Sequence, residues 1–251
     1  MRGKEFLAWT LAFTLVAGLA AAASDVVESD AERAQSLQGM LQHLHIANLT
    51  VRVLGKMVTL EGTAESLFQI RQASTIAKED PGIEEVFNDL RVIRVDDERL
   101  ERALREQLGS DPHYTIYDEV RLSVARGRVV LTGRLAPAGN PGAIEETLSR
   151  VSGVGSIENR IRVLPYASDD EKVREAVAIT VYEALGQQRL ARSRLHIVVV
   201  DGRVTLSGTV PDEDSRAAAE EAARQVEGAA SVEISLDVRR TGRIRSLSLG
   251  P

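Results

Sequence analysis

The chain contains no cysteine among its 251 residues, and aromatic side chains make up only 4% of it. Without thiols it has no disulfide staple, no thiolate metal site, no cysteine nucleophile and no thiol redox switch. Histidine is scarce as well, with four copies. His43 and His45 lie two apart on an expected helix and therefore point to different faces, whereas His113 and His196 are distant in the chain. All four are read as structural or surface residues. Neither a Walker loop nor a Gly-x-Ser-x-Gly elbow occurs. Basic residues are outnumbered 31 to 37 by acidic ones, giving a net charge of −6. That balance argues against general nucleic-acid binding, which depends on neutralising phosphates.

Residues 1–23 read as an export signal. Arg2 and Lys4 supply the charge, Phe6 to Leu19 the apolar run, and Ala20 to Ala23 the small-residue cleavage region. Cleavage before Ser24 would remove Arg2, Lys4 and Glu5 and leave a net charge of −7. The competing reading is a retained anchor, because the apolar run approaches the ~20 residues that span a bilayer. The expected location is accordingly periplasmic, or anchored to the inner membrane if the segment is not cleaved.

What the chain does have is a repeat. Gly202-Arg203-Val204-Thr205-Leu206-Ser207-Gly208 is matched by Gly127-Arg128-Val129-Val130-Leu131-Thr132-Gly133 and, with its first glycine one place earlier, by Gly55 to Gly62. The closing glycines Gly62, Gly133 and Gly208 are spaced by 71 and 75 residues, and Gly82, Gly153 and Gly228 keep the same intervals. Two markers at matched offsets imply three copies of one small domain. These six glycines are read as structural turns, the closing ones as strand ends.

Each copy alternates between helical and strand periodicity. In the middle copy, Leu100, Ala103, Leu104 and Leu108 form a helical stripe behind the caps Asp96 and Asp97. Val120, Leu122 and Val124 alternate with polar residues, Val129 and Leu131 return after Gly127, and a second helix carries Ile144, Leu148 and Val151. Ile157, Ile161 and Val163 close the copy as a third strand. The other copies follow the same order, with Asp201-Gly202 as a hairpin signal in the third. There Val198 and Val200 make a strand apolar on both sides, which predicts that its outer face is covered. The acidic runs Asp169-Asp170-Glu171 and Asp212-Glu213-Asp214 each precede a helix as caps and dipole partners, and lack the alternating oxygen ligands of a calcium loop.

The fold class that follows is α+β: three tandem α-β-β-α-β domains, each with two helices on a small three-stranded mixed sheet. Their expected extents are residues 30–94, 95–165 and 168–240, with a basic tail over 241–251. The ordered pattern resembles the BON domain family. The motif Val-x-Leu-x-Gly appears at Val58–Gly62, Val129–Gly133 and Val204–Gly208, and Gly-Val-x-x-Val-x-Asn is approached by Gly82–Asn88 and Gly153–Asn159. The third copy departs with Ala229 after Gly228 and with Ile234 at the Asn position.

The resemblance implies an exported, non-enzymatic envelope protein that binds phospholipid membranes or other proteins, often in osmotic or envelope stress. It implies no catalytic residue, no cofactor and no metal. Other readings are a structural spacer or assembly domain of an envelope complex, and a carrier or enzyme with a ligand between repeats. Apart from structural turns, the chain offers one candidate contact. Arg239, Arg240, Arg243 and Arg245 fall within seven residues, with no acid from Val238 to Pro251. They read either as a solubilising tail or as a contact to anionic lipid or a partner, worth on the order of 1 kcal/mol per basic residue near a membrane.

Overall fold

The computed structural model describes residues 29–239. The export segment, Arg240, Arg243 and Arg245 lie outside the described residues.

Repeat 1 runs through α1 (Asp30–Leu41), a 3-10 turn (Gln42–Leu44), β1 (Ala47–Leu54), β2 (Met57–Ala64), α2 (Leu67–Glu79) and β3 (Glu85–Val92). Repeat 2 comprises α3 (Asp97–Gly109), β4 (Glu119–Ala125), β5 (Arg128–Leu135), α4 (Pro141–Ser149) and β6 (Ser156–Val163). Repeat 3 comprises α5 (Ser168–Leu190), β7 (Arg194–Val200), β8 (Arg203–Val210), α6 (Glu213–Arg224) and β9 (Ser231–Val238). Each repeat builds its own three-stranded sheet with the strands in chain order. The first pair is antiparallel and the second parallel, with the second helix as the crossover. The class is therefore α+β, with three α-β-β-α-β units.

The strand alternation sends Val129, Leu131 and Leu135 into the repeat 2 core with Leu100, Leu104, Ile144 and Leu148. Repeats 1 and 3 have equivalent cores of their own. Helix starts follow local chemistry. Ser29 and Glu32 form a reciprocal capping box, Asp96 accepts from Glu98 N and Arg99 N, Asn140 caps α4 with Pro141 behind it, and Asp212 accepts from Ser215 N.

Two expectations need correction. Helix α5 has Ala167 at its N-cap position and no side-chain cap, so the run at Asp169 is not a cap. Asp170 instead accepts hydrogen bonds from Asp201 N and Gly202 N, at 2.9 and 2.8 Å, in the β7–β8 turn. Asp97 and Asp30 do the same for Arg126 N and Gly55 N, at 2.9 and 3.0 Å. One carboxylate at the head of each first helix thus clips its hairpin.

The closing glycines are not strand ends: Gly62, Gly133 and Gly208 sit inside β2, β5 and β8, which run two residues further. A Cβ on Gly133 or Gly208 would lie 1.9 Å from the carbonyl oxygen of Glu119 or Arg194 on the neighbouring strand. Glycine is required there by close backbone approach rather than by a turn. Gly82, Gly153 and Gly228 do lie in turns after the second helix.

Asn88 and Asn159 are also strand residues. Asn159 donates to Pro141 O and Glu145 Oε2 and accepts from Ile161 N, tying α4 to β6; Asn88 joins Ile70 O, Ser74 and Leu90 N in the same way. In repeat 3, Ile234 packs against the core at that position, and β9 keeps its full parallel pairing.

Candidate functional site

The repeats meet in two different ways. Between repeats 1 and 2, Gly153 N donates to Glu65 O and Leu67 N to Val154 O, both at 2.8 Å. Arg71 pairs with Glu145 at 2.6 Å, and the Arg150 guanidinium lies 3.6 Å over the Phe68 ring. Backbone pairing and helix side chains hold this junction, and a cavity of about 520 Å³ lies between α2 and α4, lined by Phe68, Gln72, Ile76 and Glu146 among others.

Between repeats 2 and 3 lies an open cleft of about 860 Å³, within the range of small-ligand sites. Its geometry comes from the segment 110–118 that joins α3 to β4. Asp111, buried, accepts from His113 N at 2.8 Å. Burial would raise its pKa, but hydrogen bonds from Thr147 and His113 outweigh that and hold the carboxyl below its ordinary value. Asp118, also buried, accepts from Thr115 N, Thr115 Oγ and Ala136 N at 2.7, 2.8 and 2.9 Å. Two aspartates thus fold the segment into a rigid arm. Its Ile116 carbonyl accepts from Ile197 N at 2.7 Å on the exposed edge of β7, while Ile116 and Tyr117 pack against the repeat 3 core.

The cleft wall follows from that docking. Glu119 is buried between Arg121 and Arg134, at 2.7 and 3.0 Å, and Ser207 Oγ reaches its Oε1 at 3.5 Å from repeat 3. Burial acts to raise its pKa, but the two guanidinium groups prevail and keep it ionised below its usual range. The rings of Tyr114 and His196 sit 5.4 Å apart. Burial pushes the Tyr114 phenol up to about 12, while its oxygen accepts from Val120 N at 3.2 Å.

His196 hydrogen-bonds the Asp118 backbone, and its Nδ1 is buried with no hydrogen-bond partner among the described residues. Burial lowers its pKa, against a smaller upward pull from Asp118 and Glu119. Nearby, Arg174 is 2% exposed, ion-paired to Glu171, with its guanidinium 5.9 Å from the Tyr117 ring. Val198 is 1% exposed, so that position of the outer face is covered as its sequence predicts.

Asp111, Asp118 and Glu119 are held by structural partners, Asp237 on the same wall is exposed, and burial holds the half-buried His196 imidazole toward its neutral form. The wall can therefore hold charge and hydroxyl groups against a ligand, through Arg105, Arg121, Arg194, Ser193 and Asp237. Among the described residues no group of three or more histidine, aspartate or glutamate side chains is placed to hold a metal. Of the arginine cluster, Arg239 directly follows β9, its N donating to Val210 O at 2.8 Å. The interdomain arm was missed from sequence. Its one visible signal is the longer connection from first helix to first strand in repeat 2 than in repeat 1.

These features define a tandem array of small α+β domains joined by ordered junctions. Residues 29–94, 96–165 and 171–240 each match the BON domain, and the chain belongs to the BON domain family. No curated protein matches it. Among solved structures, the C-terminal domain of CdsD, the structural protein of the type III secretion system of Chlamydia trachomatis, is similar at 14% identity and a TM-score of 0.25, over 83% of this chain and 99% of that one. The periplasmic domain of the inner membrane protein PrgH from S. typhimurium is similar at 14% identity and a TM-score of 0.18, over 82% and 100%. Scores this low carry no argument about function. No described helix is long and apolar enough to cross a membrane.

Proposed function

We propose that the chain is an exported, non-catalytic binding module of the cell envelope, whose three BON domains contact phospholipid or envelope proteins. The observation that carries this reading is three complete BON domains in which the buried carboxylates serve junctions and turns rather than a reactive centre. The apolar segment ahead of Ser24 supports export. A net charge of −7 after its removal works against general attraction to anionic bilayers, so contact rests on a local patch, with the arginine-rich end as the electrostatic candidate.

The test is to fractionate cells, sequence the mature N-terminus, and measure binding to vesicles of phosphatidylcholine with and without phosphatidylglycerol. Replacing Arg239, Arg240, Arg243 and Arg245 with serine is expected to weaken the salt-sensitive part of binding. Recovery of the chain from the cytosol with Met1 intact would refute export. The cleft between repeats 2 and 3 favours a second reading, a carrier of a small polar ligand. That reading is checked by ligand-induced thermal shifts that vanish in Arg121→Ala and Arg194→Ala.

A further inference from the structure

The repeats allow one chain to be compared with itself at matched positions. On the outer face of each sheet, at the hairpin end, three positions lie together: the last residue of the first strand, the first of the second, and the third of the last strand. In repeat 2 they are Ala125, Arg128 and Glu158, and Arg128 and Arg160 both pair with Glu158. In repeat 3 they are Val200, Arg203 and Glu233. In repeat 1 they are Leu54, Met57 and Phe87, which are 71%, 39% and 47% exposed. Leu54 pairs with Met57 across the turn, and Thr59 places Phe87 one step along on β3. Val53, Val58 and Val86 face the core on the opposite side, so no shift of register hides this trio. The position that repeat 2 fills with an ion pair is apolar in repeat 1.

Resting on the membrane arm of the function above, we propose that this face of repeat 1 is the surface that docks on a phospholipid bilayer, the hairpin tip entering the headgroup layer. Three observations select a bilayer as the occupant. First, three side chains fall far short of the ~800 Å² per partner that a stable protein interface buries, whereas an interfacial contact needs its apolar atoms to enter only ~5–10 Å. Second, the rim carries both signs, Arg52 paired with Glu61 at 2.6 Å, Lys56 paired with Glu84 and the exposed Glu85 beside Met57 on β3. The stems of its two long cations can lie along an apolar layer while their heads stay at headgroup level.

Third, Asp30 holds Gly55 N of this same tip at 3.0 Å, so the chain enters α1 beside it. The nine residues between Leu19 and Ser29 reach at most about 30 Å. Before the segment is cleaved, or where it is retained as an anchor, a membrane engaged by the apolar run therefore lies within reach of the tip. Apolar docking also avoids the repulsion that the acidic chain meets at an anionic surface.

The test places tryptophan at the tip. Trp9 is the chain's one tryptophan, so Trp9→Phe with Phe87→Trp leaves a single indole at residue 87. With the full chain and vesicles of brominated phosphatidylcholine, the expected result is quenching and a blue shift. The triple variant Leu54→Ala, Met57→Arg, Phe87→Glu writes the repeat 2 residues into repeat 1. It should keep its melting temperature and lose about tenfold or more in affinity for neutral vesicles. Vesicle binding without quenching at residue 87, or unchanged in the triple variant, overturns this surface while leaving the membrane function standing. No binding by the parent chain overturns both. Concentration-dependent self-association that the triple variant abolishes overturns the bilayer in favour of a second copy.

Discussion

Replacing Gly133 or Gly208 with alanine should be among the most damaging single changes in the chain, although it adds one methyl group. Each faces the neighbouring strand in antiparallel register, Gly133 opposite Val120 and Gly208 opposite Leu195. The new Cβ would sit 1.9 Å from a backbone carbonyl oxygen, and φ at these positions is 130° and 122°. No rotamer relieves a clash between Cβ and backbone, so the strands must part by about 1 Å. Overpacking costs ~1–3 kcal/mol and the strained φ a further ~1–3. The total rivals the whole stability of a 70-residue domain, ~4–10 kcal/mol.

Gly62 provides the internal control. In β1 the pairing shifts between Ala47 and Thr50, and Asn48 takes a φ of 53°. This irregularity draws the carbonyl back, and the nearest atom to a Cβ on Gly62 is 3.0 Å away. Gly109, with nothing within 4 Å, should tolerate alanine. Thermal unfolding of the full chain, followed by circular dichroism, should show one repeat melting more than ~10 °C early in Gly133→Ala and Gly208→Ala. A smaller loss is expected in Gly62→Ala and none in Gly109→Ala. A Gly133→Ala protein that melts with its parent, or a Gly62→Ala protein equally damaged, would refute the close-approach argument.

Asn159→Ala should cost ~1–3 kcal/mol by leaving Ile161 N without its acceptor and untying α4 from β6. Asn159→Ile should cost less in the same urea titration, because repeat 3 packs Ile234 there. Asp170→Ala removes the acceptor for two turn amides, and hydrogen exchange at Asp201 and Gly202 should accelerate while the core strands stay protected. For His196, burial holds the folded pKa below the unfolded value of about 6.5, so as pH falls the unfolded chain takes up the proton first. Its contribution to repeat 3 is therefore complete above pH ~6.5 and declines below it. Urea midpoints at pH 7.5 and 5.5 should diverge in the parent and converge in His196→Phe. An equal drop in both proteins would assign the loss to other groups.

The repeat, the strand order and the hairpin turns were legible because they are local. Asp201 and Gly202 take φ values of 51° and 71°, the conformation that Asp-Gly favours. The role of the closing glycines was misread for a physical reason: a glycine that admits a neighbouring carbonyl and one that ends a strand look alike until the pairing is known. Asp170 was misassigned because a carboxylate in a first turn satisfies the capping rule, and only the fold shows that the β7–β8 turn lies above it. The cleft was illegible. It depends on where segment 110–118 lands, and buried residues such as Asp111, Asp118 and Glu119 read in sequence as ordinary surface acids.

The two junctions show how copies of one fold acquire distinct duties. Glu65 and Leu67 pair with Gly153 and Val154 across the first junction, and the matching positions in the second are Ala136 and Ala138 with Gly228 and Ala229. There Ala136 accepts instead from Gly139 N of its own loop at 2.8 Å, and the arm before β4 takes over the docking. Repeat 2 therefore spends its helix α4 side on one neighbour and its outer sheet edge on the other, while repeat 1 keeps the hairpin end of its outer face exposed to solvent. Positions that build the fold match in all three copies because every copy meets the same demand to fill its core: Val58 and Leu60, Val129 and Leu131, and Val204 and Leu206 are all buried. Positions free of that demand are where the copies diverge: ion pairs in repeat 2, hydroxyl and imidazole groups at the cleft wall of repeat 3, and Leu54, Met57 and Phe87 in repeat 1. Divergence at matched, exposed positions is thus what gives the three copies different surface chemistry on one fold.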